Sequence, residues 1–254
     1  MLAEYVGFFS RNSLGNFGLR WLHVLVGIMW IGLLYYFNFV QVPAFAAFGD
    51  EAKARNIAID KVARKALWWF RWAAVSTFVT GILITGITKD YYANGFGKSA
   101  SGIAISAGMI LGTIMMLNVW GVIWRNQKVV LANAANVLAG GQPDPAAPAA
   151  GRKAMMASRQ NTIFSVTMLF FMVYKSHGPY GGELSSAKMG IFWLITLILI
   201  VVLELNALGL MPWKAQPNKG LNVLYDGPGV RNPLIAAFGL WAIFLILTEI
   251  FFKV

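Results

Sequence analysis

An all-α, polytopic membrane helix bundle with about six transmembrane helices is the fold class this sequence predicts, and three observations predict it. Of 254 residues, 58% are hydrophobic and only 12% charged, about half the roughly 25% charged share of an ordinary soluble domain. The mean hydropathy is +0.62. Apolar windows long enough to cross a bilayer, roughly 20 residues at 1.5 Å each, recur from one end of the chain to the other, with no intervening stretch that reads as a soluble domain. Residues 1–254 are therefore read as a single membrane domain.

The expected spans are 20–42, 66–88, 103–124, 162–176, 189–210 and 233–252. Ahead of them, Leu2, Tyr5, Val6, Phe8 and Phe9 suggest a short interfacial helix, and no basic region followed by an apolar core marks a cleavable signal. The first span, RWLHVLVGIMWIGLLYYFNFVQV, carries His23, Gly27, Trp30, Leu34, Asn38 and Gln41 at steps of three or four, hence on one helical stripe. Polar groups in a membrane helix are costly unless they face a bundle interior, a cofactor or a water-filled cavity. The first helix is thus expected to form one wall of an intramembrane site; the plainer alternative is a histidine satisfied by a neighbouring helix.

The second span holds Arg71 in WWFRW and the fifth holds Glu204 in LELNALG; each charge is expensive in hydrocarbon, and the two are expected to pair. The third span repeats Ala104, Gly108 and Gly112, a small-residue face for close helix packing, and can continue past Trp124 as an amphipathic helix to Leu138. GGQPDPAAPAAG then reads as a linker. Trp21, Trp68, Trp69, Trp124 and Trp213 stand near span ends, where indoles anchor at the interface.

The formal charge of +11 is a topology signal rather than a nucleic-acid footprint. Loops after spans one, three and five carry 13 basic residues and the opposite side carries 7, with Arg71 inside a span. The positive-inside rule then makes the richer loops cytoplasmic and both termini external.

The absence of cysteine excludes disulfides, iron–sulfur clusters and covalent haem c. A b-type haem remains open, with His23 and His177 as the whole imidazole inventory. Counting crossings puts both on the same, external, side, where they can clamp an iron from opposite faces. Gly27 leaves room for a flat ring, Trp30 follows one turn on, and Phe170 and Tyr174 can cover the other face. Met168, Met172 and Lys175 are the other candidate ligands, and His177 also reads as an ordinary loop residue before Gly178 and Pro179.

RWLHVLVGIMWIGLLYYFNFVQVPAFA, ALWWFRW, WGVIWRNQK and ASRQNTIFSVTMLFFM, together and in this order, resemble the membrane domain of the bacterial membrane-bound urate oxidase family. The last third of the chain matches only in character. The resemblance implies a multi-span domain, usually followed by a C-terminal cytochrome c domain, whose CxxCH motif is not among these 254 residues, and oxidation of urate with electrons passed to a cytochrome chain. The pattern HxxxGxxWxG from His23 to Gly32 is also similar to other small haem-handling membrane proteins.

The resulting expectation is a membrane redox protein, lodged among membrane lipids, that binds b-type haem and relays electrons to a separate cytochrome c or quinone. Catalytic residues and the substrate are not legible. The alternative is a non-catalytic accessory subunit packed against a larger respiratory or photosynthetic complex. A transporter ranks third, because no span is broken by paired Gly/Pro interruptions.

Overall fold

A computed structural model describes residues 14–87 and 96–253; the interfacial segment expected around Leu2 to Phe9 lies outside them. Among the described residues the fold is helical throughout, with a lone antiparallel bridge between Ser99 and Glu183. Six long helices make the bundle: α1 (Gly15–Ala47), α2 (Ala52–Gly86), α3 (Ala100–Leu138), α4 (Ala147–His177), α5 (Ser186–Ala207) and α6 (Arg231–Phe252). Each overlaps one of the expected spans, with α2 ending at Gly86 and α5 at Ala207, short of the expected 88 and 210. All of these except α4 are long and apolar enough to cross a membrane.

The exception is the centre of the fold. α4 carries a run of fully buried polar residues, Gln160, Asn161, Thr162, Ser165 and Thr167, which lowers its hydropathy without exposing anything polar to lipid. It lies antiparallel against α3 along its length. A side chain on Gly151 would meet Val130, Asn161 donates to the Met115 carbonyl (2.9 Å), and Gly108 admits Phe171 so closely that a Cβ there would stand 3.2 Å from the Phe171 Cβ. α4 therefore traverses the same thickness as α3, and the small-residue face of α3 does the packing expected of it. Phe171 also meets Phe192 of α5 and Phe244 of α6 edge-on (6.5 and 5.3 Å), making an aromatic core.

The helices alternate in direction. His23 meets Thr80 and Phe37 meets Phe70 across the α1–α2 pair. The upper end of the bundle then carries Arg20, His23, Lys98, Lys175, His177, Lys188 and Lys253. The lower end gathers the basic starts of α2 and α4, the basic tail of α3 and the loop 208–230.

Local chemistry sets the irregularities. Pro43 cannot donate to the carbonyl four residues back. The ladder slips to five-residue spacing just before it, with the Val42 N–H on the Phe37 carbonyl, giving a π turn over Tyr36–Gln41. Ser99 and Ser185 cap α3 and α5, accepting from the N–H groups of Gly102 (3.0 Å) and Lys188 (3.3 Å). α5 ends where Gly209 takes φ +73°, with the Leu210 N–H returning to the Leu205 carbonyl (2.9 Å).

Residues 211–233 read in sequence as a turn-rich connection between the last spans, but in the structure residues 208–230 are a packed strap under the lower end. Tyr225 and Asn222 are fully buried in it. Asn222 accepts from Asn206 (3.0 Å), which in turn accepts from the Trp213 indole (2.7 Å). The Tyr225 phenol donates to Gln160 on α4, and Arg152 grips both oxygens of Asp226.

Candidate cofactor cavity

Because α1 pairs tightly with α2, and α3 with α4, a gap remains between the two hairpins in the upper half. It is a cavity of about 730 Å³, within the usual range for cofactor and ligand sites. His23, Gly27 and Trp30 line it from α1, Thr77 and Gly81 from α2, Ile105 and Met109 from α3, and Met168, Met172 and Lys175 from α4. A recess of about 130 Å³ shares His23, Trp30, Met168 and Met172 and reaches Gly112 and Thr113.

His23 is oriented by a group that the sequence did not single out. Its Nδ1 lies 2.9 Å from the Thr80 hydroxyl oxygen. That hydroxyl directs its one hydrogen to the Ser76 and Thr77 carbonyls (2.7 and 3.0 Å), so towards His23 it accepts. The network thus assigns the Nδ1–H tautomer and leaves the lone pair on Nε2. The imidazole lies over Gly81, where a Cβ would come within 3.3 Å of Cε1. A mid-helix glycine after a threonine was the available signal, but only the α1–α2 register connects it with His23, 57 residues earlier.

The expected site residues divide into two groups. His23, Gly27 and Trp30 share the cavity wall with Met168, Met172 and Lys175. Tyr174 is buried but turned to α6, edge-on to Phe252 (5.6 Å), and it fills the space left by Gly178. Phe170 likewise faces Trp241 of α6 (6.4 Å). His177, the last residue of α4, is exposed and stands outside the lining, although at the same end as His23. On a helix each residue turns 100° from the last, so the face that presents Met168, Met172 and Lys175 to the cavity carries Tyr174 and His177 away from it. Among the described residues no three His, Asp or Glu gather as a metal-binding cluster.

Arg71 and Glu204 do not form the expected ion pair. The Arg71 guanidinium stacks 3.8 Å above the Trp124 ring, and the Trp120 indole donates to the Arg71 carbonyl (3.0 Å). The π face supplies the compensation. Glu204 instead accepts from Asn118 (3.1 Å), whose amide also reaches Asn161 on α4 (3.1 Å). Two separate polar networks replace one salt bridge. Each charge finds its partner on α3, Arg71 on the face towards α2 and Glu204 on the face towards α4.

Outside the spans, the strap holds two perturbed groups. Burial raises the Asp226 carboxyl, but the Arg152 guanidinium and the Asn218 N–H outweigh it and hold the group below the usual carboxylate range. Burial pushes the Tyr225 phenol up.

Residues 87–206 match the family model described as urate oxidase N-terminal. The match covers 120 of the 254 residues. It takes in α3, α4 and nearly all of α5, hence the methionine wall of the cavity, while α1 and α2 with His23, Thr80 and Gly81 lie outside it. No curated protein and no solved structure matches the chain. Over these three helices the chain is similar to the N-terminal part of urate oxidases.

Proposed function

We propose that the chain is a membrane redox protein of the urate-oxidase type, with a b-type haem held in the His23 cavity. The observation that carries this reading is His23, its Nδ1 engaged by Thr80, on the wall of an apolar cavity that also bears the Met168 and Met172 thioethers. Gly27 and Gly81 supply flat backbone beside the imidazole, as a planar ring needs. Haem contributes one-electron transfer, and the electrons go to a separate cytochrome or quinone.

His23 is the ligand that the residues favour on one side. Opposite it, Met168 and Met172 are favoured over His177, because they share its cavity. A His/Met pair raises the potential of a haem relative to two histidines. Urate is the first substrate to test, on the strength of the family match.

The test is the absorption spectrum of the full chain purified from membranes, with and without dithionite. A Soret band that shifts on reduction, is lost in His23→Ala and persists in His177→Ala is the expected result. Urate-dependent reduction of the same band tests the substrate. Wild-type protein without a Soret band overturns the haem reading, and co-purification of such protein with a larger membrane complex favours the accessory-subunit alternative.

A further inference from the structure

Building on the haem reading, we infer that Arg20 and Lys175 form a carboxylate-binding pair at the cavity mouth that takes the two haem propionates. Arg20 precedes His23 by three residues and Lys175 follows Met172 by three, so each wall carries a cation one turn above a candidate iron ligand, a rise of about 4.5 Å. Both residues line the cavity, and among the described residues no aspartate or glutamate does. Lys175 is held at the mouth by Phe96, whose ring lies 5.8 Å from Nζ.

The remaining lining matches the apolar rim of the same molecule. Val24 and Ile28 of α1 and Leu169 and Val173 of α4 line the cavity and are 59%, 67%, 41% and 58% exposed, so it opens sideways between these two helices at bilayer height. An occupant with acidic groups at one edge and hydrocarbon elsewhere satisfies both halves: carboxylates upward at Arg20 and Lys175, apolar edge inward and sideways. A plain snorkelling role for the two cations predicts no dependence on the carboxylates of the occupant, and this separates the two ideas.

The experiment titrates the full-length protein, stripped of haem in detergent, with haem b and with haem b dimethyl ester, reading the Soret band. Wild type is expected to prefer the free acid, and Arg20→Gln with Lys175→Gln is expected to lose that preference, about fivefold for each cation removed. The ester still binds to the double variant in a His23-dependent way, showing that it folds, and Arg20→Lys with Lys175→Arg keeps the preference. The midpoint potential falls in the Gln variant, because two positive charges near the iron are gone. Equal affinity of wild type for both haems, or a preference unchanged by the Gln substitutions, overturns this inference alone. A wild type that binds neither haem overturns the haem reading and this inference with it.

Discussion

The Thr80 hydroxyl lies 2.9 Å from Nδ1 of His23 and spends its own hydrogen on the α2 backbone, so it fixes both the tautomer and the direction of the imidazole. Outer-shell partners of this kind typically contribute ten- to a hundredfold to ligand affinity at metal sites. Thr80→Val should therefore weaken haem retention by roughly tenfold or more, without the complete loss expected of His23→Ala. Gly81→Val, which crowds the same ring from beneath, should be worse than Gly86→Val, where a Cβ meets nothing within 4 Å. Soret titration of the four variants is the measurement, and equal binding by Thr80→Val and wild type would count against the oriented imidazole.

The Asp226–Arg152 pair ties the strap to α4. Asp226 is held below the ordinary carboxylate range in the folded chain, so the unfolded chain binds its proton first as pH falls. The stability from this group is fully present above its unfolded value of about 3.9 and disappears as pH drops through the lower folded value. Asp226→Asn should cost about 3 kcal/mol near neutral pH, seen as an earlier thermal unfolding transition, with the deficit relative to wild type shrinking in acid. A deficit that grows as pH falls below about 4, into the free carboxylate range, would contradict the pairing.

Arg71 and Glu204 occupy different networks. Stability changes for Arg71→Ala and Glu204→Gln should add within about 0.5 kcal/mol. Asn118→Leu and Glu204→Gln, which share one hydrogen bond, should depart from additivity by about 1 kcal/mol. Double-mutant cycles on thermal unfolding read both. Coupling in the first pair and none in the second would mean that the charges meet after all.

With no native cysteine, sidedness can be read by single-cysteine labelling. Gly97 is exposed at the upper end, with open space for a side chain, and Gln142 is exposed in the lower turn. The basic residues concentrate at the lower end, which the positive-inside rule assigns to the cytoplasm. A membrane-impermeant maleimide should label Gly97→Cys in intact cells and Gln142→Cys only after lysis. The opposite pattern would invert the topology.

Much of the bundle was legible in the sequence because lipid imposes its demand on every residue that touches it. Apolar windows located α1, α2, α3, α5 and α6, and the amphipathic continuation of α3 to Leu138 appears as expected. The fourth window, 162–176, caught only the upper half of a helix that begins at Ala147. Hydropathy loses α4 there because its neighbours are protein, so Arg159, Gln160 and Asn161 hydrogen-bond to the strap and α3 rather than being excluded.

The alternation of spans was enough to put His23 and His177 at one end, since counting crossings needs no knowledge of contacts. Which way each side chain faces is a different quantity. It depends on how each helix is rotated about its axis and on the register of antiparallel neighbours far away in sequence. The sequence by itself determined a helical bundle, its polar stripe from His23 to Gln41 and the end at which both histidines stand. Only the packing of α2 against α1 brought Thr80 and Gly81 to the imidazole. Only the rotation of α4 turned Met168, Met172 and Lys175 into the cavity and carried Tyr174 and His177 out of it, because a step of one residue turns a side chain through 100° while leaving hydropathy almost unchanged.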